Sequence, residues 1–270
     1  MGKTVLTEEK ETLFIPLYGK AIESGKKNSV LTDKKAVEII NNLDYDFNSL
    51  KIPAKTNVMM CLRARLFDDF TVEFLRGHPQ ASVVHLGCGL DSRYERIGSP
   101  EANWFDIDFP DVIDLRKQFY KTTGFYRMIP SSVTEKEWIG NIPSSGNSDL
   151  IIAEGLFMYL SETGIRRLLS NLKEHLNSYY LIFDVFSKLT AKSIGSHPSM
   201  KKTDAKVQWG IDDSRTLEYW DIGAEYKDEI FFTGNRAMEK MDAGTKFMYK
   251  IAGLFPVAKR AHRILVYKIS

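Results

Sequence analysis

The sequence predicts an α/β fold: a seven-stranded, mostly parallel sheet with helices on both faces, preceded by a helical N-terminal extension. Three observations predict it. Short apolar segments bounded by turn residues recur at 82–86, 103–107, 126–129, 149–153, 179–185, 226–232 and 263–269, lengths that suit buried strands. Helical patterns such as FPDVIDLRKQFYKT and SETGIRRLLSNLKEHL separate the earlier segments, the alternation that builds βαβ units and a parallel sheet. The final two segments have shorter connections, which suits an antiparallel edge.

The elements follow in order. Residues 1–80 read as helical. In LTDKKAVEII, Thr32 or Asp33 is placed to cap a helix, and residues 56–77 form the clearest helical pattern of the chain. There Met59, Leu62, Leu66, Phe70 and Phe74 share one stripe; Arg63 falls inside that stripe and Arg65 outside it. Gly77 and Pro79 then end the helix. Residues 81–185 carry five of the strands, and Ser161 is the cap of the helix that follows the fourth. Residues 186–222 break the rhythm with Gly195, Pro198, Gly210 and two tryptophans, which predicts an inserted lid or substrate-selecting segment. Residues 223–270 supply the C-terminal strands. One domain of 270 residues is expected, and 43% hydrophobic and 12% aromatic residues suffice for its core.

Composition excludes several classes. A net charge of +2 gives no nucleic-acid footprint, and no apolar stretch has the length of a membrane span. Cys61 and Cys88 form neither a disulfide framework nor a metal-ligand spacing, so no metal is expected and a reducing compartment fits. The first residues carry acids and lack a long apolar core, unlike a secretory signal. A soluble, cytoplasmic protein is expected.

The chemistry concentrates at VVHLGCGLDSR, residues 83–93. A strand ends at Gly87, and a second glycine at Gly89 lets the backbone turn sharply beside a ligand. In an open α/β sheet, ligands bind beyond the carboxyl ends of the strands. Asp106 and Asp108 lie nineteen and twenty-one residues past Gly87 on one face of the next strand, the spacing of an acid that accepts from ribose hydroxyls. Asp108, nearer the crevice, is the favoured ribose acid; the structural alternative makes Asp106 or Asp108 a cap for the helix opening near Pro110. Either a nicotinamide dinucleotide or S-adenosylmethionine fits this pattern. Ser92, at the third position of a dinucleotide glycine fingerprint, and Asp91, which would repel a pyrophosphate, favour S-adenosylmethionine.

Four ordered stretches, CLRARLFDDF, VVHLGCGLDSR, WFDIDFPDV and DLIIAEGLFMYLSETGIRRLLSNL, resemble the leucine carboxyl methyltransferase family, including its bacterial polyketide-type O-methyltransferases. The resemblance runs from about Lys20 to Phe186 and implies a Rossmann-like, S-adenosylmethionine-dependent methyltransferase. By position it implies that Gly87 and Gly89 form the cofactor loop, that Asp108 holds the ribose, and that Arg63 grips the methionine carboxylate. The alternative for Arg63 is a structural ion pair with a carboxylate of the chain. Arg63→Ala is accordingly expected to weaken cofactor binding without unfolding the protein. Lys20 matches a second basic contact to the same carboxylate, and Glu154 is placed beside the cofactor. Many relatives carry Asp-Leu where this chain has Ser132-Val133; a serine hydroxyl can still accept from the adenine amine, without charge assistance.

The family's reaction is in-line methyl transfer to oxygen. A carboxylate acceptor needs no base, whereas a hydroxyl gains from one, and Glu154, Asp184 and His197 are the candidates. Phe186, Met200, Trp209 and Trp220 suggest an apolar acceptor pocket, although core packing explains Trp220 equally well. The expected partner is a small-molecule acceptor, aromatic or polyketide-like, bearing a hydroxyl or carboxyl. The rival readings are a protein carboxyl methyltransferase, a non-catalytic cofactor-binding protein and a nicotinamide oxidoreductase.

Overall fold

The computed structural model describes residues 10–144, 146, 148–194, 206–234, 236–241 and 243–270. Three helices lead the chain: α1 (Phe14–Ser24), α2 (Lys34–Asn42) and α3 (Ala54–Gly77). Of the two candidate caps for α2, Asp33 does the work, its carboxylate accepting from Ala36 N at 2.9 Å.

Next come β1 (Ser82–Leu86), α4 (Arg93–Arg96), β2 (Asn103–Asp108), α5 (Pro110–Arg116), β3 (Tyr126–Pro130), β4 (Asp149–Ala153) and α6 (Glu162–Leu176). The remaining elements are β5 (Tyr179–Phe186), α7 (Lys188–Ile194), β6 (Ala224–Phe231), α8 (Ala243–Leu254), α9 (Pro256–Arg260) and β7 (His262–Ile269). All seven expected strands form one sheet in the order β3-β2-β1-β4-β5-β7-β6, parallel except for β7. β6 begins two residues earlier than expected, at Ala224. It is an edge strand with an irregularity between Tyr226 and Asp228, so pairing with β7 rather than burial sets its start.

Both faces of the sheet are covered, which is why β1 and β4 are buried along their whole length. Val83, Leu150, Ile152 and Ile182 face a core shared with Phe14, Leu17, Leu62 and Phe67 of the N-terminal helices. Their alternates Val84, Ile151, Leu181 and Phe183 face a second core with Ile165, Leu168, Leu169 and Leu172 of α6. Ser161 caps α6 by accepting from Gly164 N at 3.1 Å. The order of strands reverses between β1 and β4, so a crevice opens at their carboxyl ends. Because β7 runs antiparallel, its first residue, His262, pairs with the last residue of β5, Phe186, at that same edge.

Beyond β5, α7 and the segment from residue 206 lie against the crevice. Gln208 and Trp209 donate backbone N–H bonds to Met158 O, and Ile211 donates to Phe186 O. Among the described residues no helix is long and apolar enough to cross a membrane, and no cluster of His, Cys, Asp or Glu is placed to hold a metal ion.

Candidate active site

The crevice is a cavity of about 420 Å³. Lys20, Arg63, Gly87, Gly89, Asp108 and Glu154 all line it, although they come from five separate stretches of chain. Gly87 leaves β1 with φ +61° and Gly89 follows with φ +51°. Gly87 and Cys88 both donate N–H bonds to Ile107 O, which folds the turn over the end of β2. Only glycine takes this conformation without strain, and a Cβ on Gly87 would lie 2.9 Å from Leu156 Cδ1. Gly87→Ala is therefore expected to cost about 1–2 kcal/mol from the left-handed backbone alone. It should also weaken cofactor binding, and denaturation and calorimetry on the same variant check the two effects.

Asp108 stands where β2 ends. Its Oδ2 accepts from Gly89 N at 2.7 Å and its Oδ1 from Phe109 N at 2.8 Å. Burial raises its pKa, and the two backbone donors offset only part of that. Asp106 faces away from this role. It accepts from Trp104 Nε1 at 2.8 Å and Tyr126 OH at 2.5 Å and pairs with Arg116, a closed buried cluster. Neither acid caps α5, whose N-cap is Phe109 ahead of Pro110.

Arg63 turns out to be both a cavity residue and an ion-pair partner. Its Nε donates to Glu154 Oε1 at 2.9 Å and its Nη1 to Asp184 Oδ2 at 3.0 Å. Burial works against the charge, but Asp184 and Glu154 outweigh it and hold the guanidinium protonated. Glu154 pairs in turn with Arg93, which is fully buried and bonds Asp68 at 2.9 Å. Arg96 joins Asp68, Asp33 and Asp91, and Asp91 pairs with Lys20. Lys20 thus meets the cavity already paired with a carboxylate. Arg65, outside the stripe, bonds Asp69 one helical turn away.

Asp184 lies behind Arg63 at the end of β5, fully buried. Burial pushes its carboxyl up, but Arg63, His262 and the Gly155 N–H at 2.5 Å hold it well below the usual carboxylate range. Ser132 and Val133 do not form part of the cavity wall. Ser132 Oγ is 2.9 Å from Thr134 Oγ1, while Ser131 N donates to Asp108 O, so the loop sits next to Asp108 without opening into the cavity. His197 and Met200 lie outside the described residues.

The expected aromatic pocket is corrected in part. Phe186 does line the cavity, but Trp209 and Trp220 do not. They pack in the second core, with ring centroids 5.9 Å apart, and Trp209 also meets Phe157 and Phe183. The segment from residue 206 folds its rings beneath the sheet edge and leaves Val207 at the cavity. Two groups escaped sequence reasoning. One is the stretch Thr12–Leu17, most of which lines the cavity. The other is His262, whose Nε2 is 2.7 Å from Asp184 Oδ2. A solitary histidine opening a strand carries no signal until the β5–β7 register places it.

Residues 15–173 match the leucine carboxyl methyltransferase family. The chain is 34% identical to the tetracenomycin polyketide synthesis O-methyltransferase TcmP of Streptomyces glaucescens, over 99% of each chain. It is 28% identical to the S-adenosyl-L-methionine-dependent methyltransferase dpfgK of Gibberella zeae, over 85% of this chain and 84% of that one. Among solved structures, a DUF574 family protein from Streptomyces avermitilis superposes with a TM-score of 0.60 at 14% identity, covering 86% of this chain and 95% of the other. Magnesium protoporphyrin IX methyltransferase from Synechocystis, with bound SAH, gives 0.50 at 13% identity, covering 88% and 94%. These structural likenesses concern the fold, while the sequence matches carry the chemistry: the chain belongs to the leucine carboxyl methyltransferase family and is an S-adenosylmethionine-dependent methyltransferase.

Proposed function

We propose that this methyltransferase transfers the methyl group to a hydroxyl or carboxyl oxygen of a small aromatic or polyketide-like acceptor. The observation that carries the reading is the two-part wall of the cavity. Toward β1 and β2 it is glycine turn and acid. Toward β4, β5 and β7 it is Met158, Phe186, Ile194 and Val207, with Met59 and Met60 from α3. A volume of about 420 Å³ lies in the range of small-molecule sites, and such sites are mostly apolar with a few placed polar groups. The polyketide O-methyltransferase relative, matched along essentially its whole length, supports the acceptor class.

The residues present fit the cofactor. Asp108 keeps acceptor capacity beyond its two backbone bonds, and a carboxylate there suits a pair of ribose hydroxyls. Gly87, Gly89 and Gly155 all take positive φ. A Cβ on Gly87 or Gly155 would press on Leu156 Cδ1 at 2.9 Å or on Arg63 Nη2 at 3.0 Å, so the turns and the Arg63 guanidinium keep their places only with glycine there. Arg63 and Lys20 offer charge to a carboxylate, and Glu154 offers it to a cation. When bound, S-adenosylmethionine supplies a methyl group already activated on a sulfonium. The chain's part is to hold the acceptor oxygen in line with that carbon, to keep water out, and to receive a proton where the acceptor has one. Positioning of that kind is worth roughly 7–11 kcal/mol when the bound pair is a near-attack conformer.

The test is transfer from methyl-labelled cofactor to a panel of polycyclic phenols, enols and aromatic acids, beside calorimetry with the cofactor, its demethylated product and NAD. Label is expected on a panel member, with NAD not binding. Transfer only to a protein carboxyl terminus would overturn the acceptor class. Cofactor binding with no transfer would turn the reading to a non-catalytic binder.

A further inference from the structure

We propose that His262 is the general base of the transfer, oriented by Asp184, and that the acceptor group is therefore a hydroxyl; the proposal rests on the small-acceptor reading above and narrows it. Three observations carry it. His262 lines the cavity beside Phe186, in the apolar wall that also holds Met158. Its Nε2 is 2.7 Å from Asp184 Oδ2, so Nε2–H donates to the carboxylate and the remaining nitrogen, Nδ1, is the one left to accept from a ligand. The ring is fixed between Phe186 and Phe232, with centroids at 4.4 and 4.7 Å. A carboxyl acceptor is already ionised at neutral pH and would give such a dyad nothing to do.

The other carboxylates at the site are poorly suited to the task. Glu154 is held by two guanidinium groups and Asp184 by Arg63, and both stay ionised with little tendency to take a proton. His262 differs. The groups that bear on its charge are Asp184 from β5, Glu154 beyond β4 and Arg63 from α3, while Phe186 and Phe232 cover the ring without charge. Burial lowers its pKa and Arg63 adds to that; Asp184 and Glu154 recover only part, so the imidazole is neutral at pH 7.

In the step, the acceptor oxygen forms the new bond to the methyl carbon as the carbon–sulfur bond breaks. The electron pair of that bond stays on sulfur, leaving a neutral thioether. The hydroxyl proton passes to Nδ1 of His262. Positive charge therefore moves from sulfur to imidazolium, where Asp184 lies in hydrogen-bond contact. Asp184 is a positioning residue: it fixes the tautomer and stabilises the charged ring.

The experiment compares the wild type with His262→Gln on a phenolic acceptor across pH, with calorimetry on the demethylated product. We expect kcat to fall at least about 100-fold at neutral pH, with KM for the cofactor and product affinity within about twofold of wild type. The wild-type kcat should fall in acid below the lowered imidazole pKa, where the ring is protonated and cannot accept. That limb should vanish in the variant, whose rate should recover as the acceptor phenol itself ionises. Independently of turnover, long-range ¹H–¹⁵N spectra of the wild type should show His262 as the Nε2–H tautomer. Retained kcat, an unchanged acid limb or the Nδ1–H tautomer would overturn the assignment. So would wild-type transfer to aromatic acids and not to phenols, which leaves the small-acceptor reading standing. Absence of transfer to the whole panel overturns that reading itself.

Discussion

Arg63→Gln is expected to destabilise the protein by about 3–5 kcal/mol, because it leaves buried charges without their partner. Asp184 is fully buried and Glu154 nearly so, and Arg63 bridges them at 3.0 and 2.9 Å. Glu154 retains Arg93, but Asp184 keeps only His262 and the Gly155 N–H. The sequence alone suggests a clean binding defect at this position; the structure replaces that with a combined loss, since the same guanidinium serves the fold and the cavity. Urea denaturation and cofactor calorimetry on one variant separate the parts. Adding Asp184→Asn should restore part of the stability, since it removes the stranded charge, and should not restore cofactor binding. The effect also has a pH signature. Asp184 has a folded-state pKa held below its ordinary 3.8, so its contribution is complete above that value and disappears as pH falls through the depressed one. The stability gap between wild type and Arg63→Gln should therefore narrow in strong acid. A variant with unchanged stability would remove the ion-pair role, and one with unchanged cofactor affinity would remove the binding role.

What the sequence reveals about this site follows from the range of each interaction. The strands are legible because β1 and β4 are buried on both faces and are apolar at most positions, with Val83, Val84 and Leu86 in one and Leu150, Ile151, Ile152 and Ala153 in the other. The pairing of Gly87 with Asp108 is legible because one βαβ unit fixes that distance along the chain, and the register that pairs Leu86 with Ile107 brings the two ends together. Arg63 is legible as an oddity, a charge within an apolar stripe. Its partners are not, since Glu154 and Asp184 lie 91 and 121 residues away and meet it only when β4 and β5 are in place. Trp209 misleads for a related reason, while Trp220 takes the core place that packing already offered it. Aromatic residues in an irregular segment look the same whether they face a ligand or a core, and here the segment's bonds to Met158 and Phe186 turn both rings inward. His262 depends on the antiparallel register of β7, a long-range property with no local signature.

Asp108→Asn should behave in the opposite way to Arg63→Gln, and the contrast tests the division of labour within the cavity. The amide keeps one oxygen, so one of the Gly89 and Phe109 N–H bonds survives and the other is lost, a cost of about 1 kcal/mol. Against that, the wild-type carboxylate is itself a burden on the free protein. Burial raises its pKa, so stability is gained as pH falls through the raised value, and removing the charge relieves the same burden. The net change in stability should stay within about 1 kcal/mol. Cofactor binding should not be spared. Hydrogen bonds to a charged acceptor are worth about 1.5–3 kcal/mol, and losing them weakens affinity by about 10- to 100-fold. Because the ribose is common to the cofactor and its demethylated product, both should weaken equally. Because the ribose is remote from the transferred methyl, kcat at saturating cofactor should hold while KM rises, the mark of uniform binding. Calorimetry with both ligands and a full rate profile check each part. A loss confined to kcat, or unequal losses for the two ligands, would move Asp108 from the ribose to the reacting centre; unchanged affinity would remove it from the cofactor site.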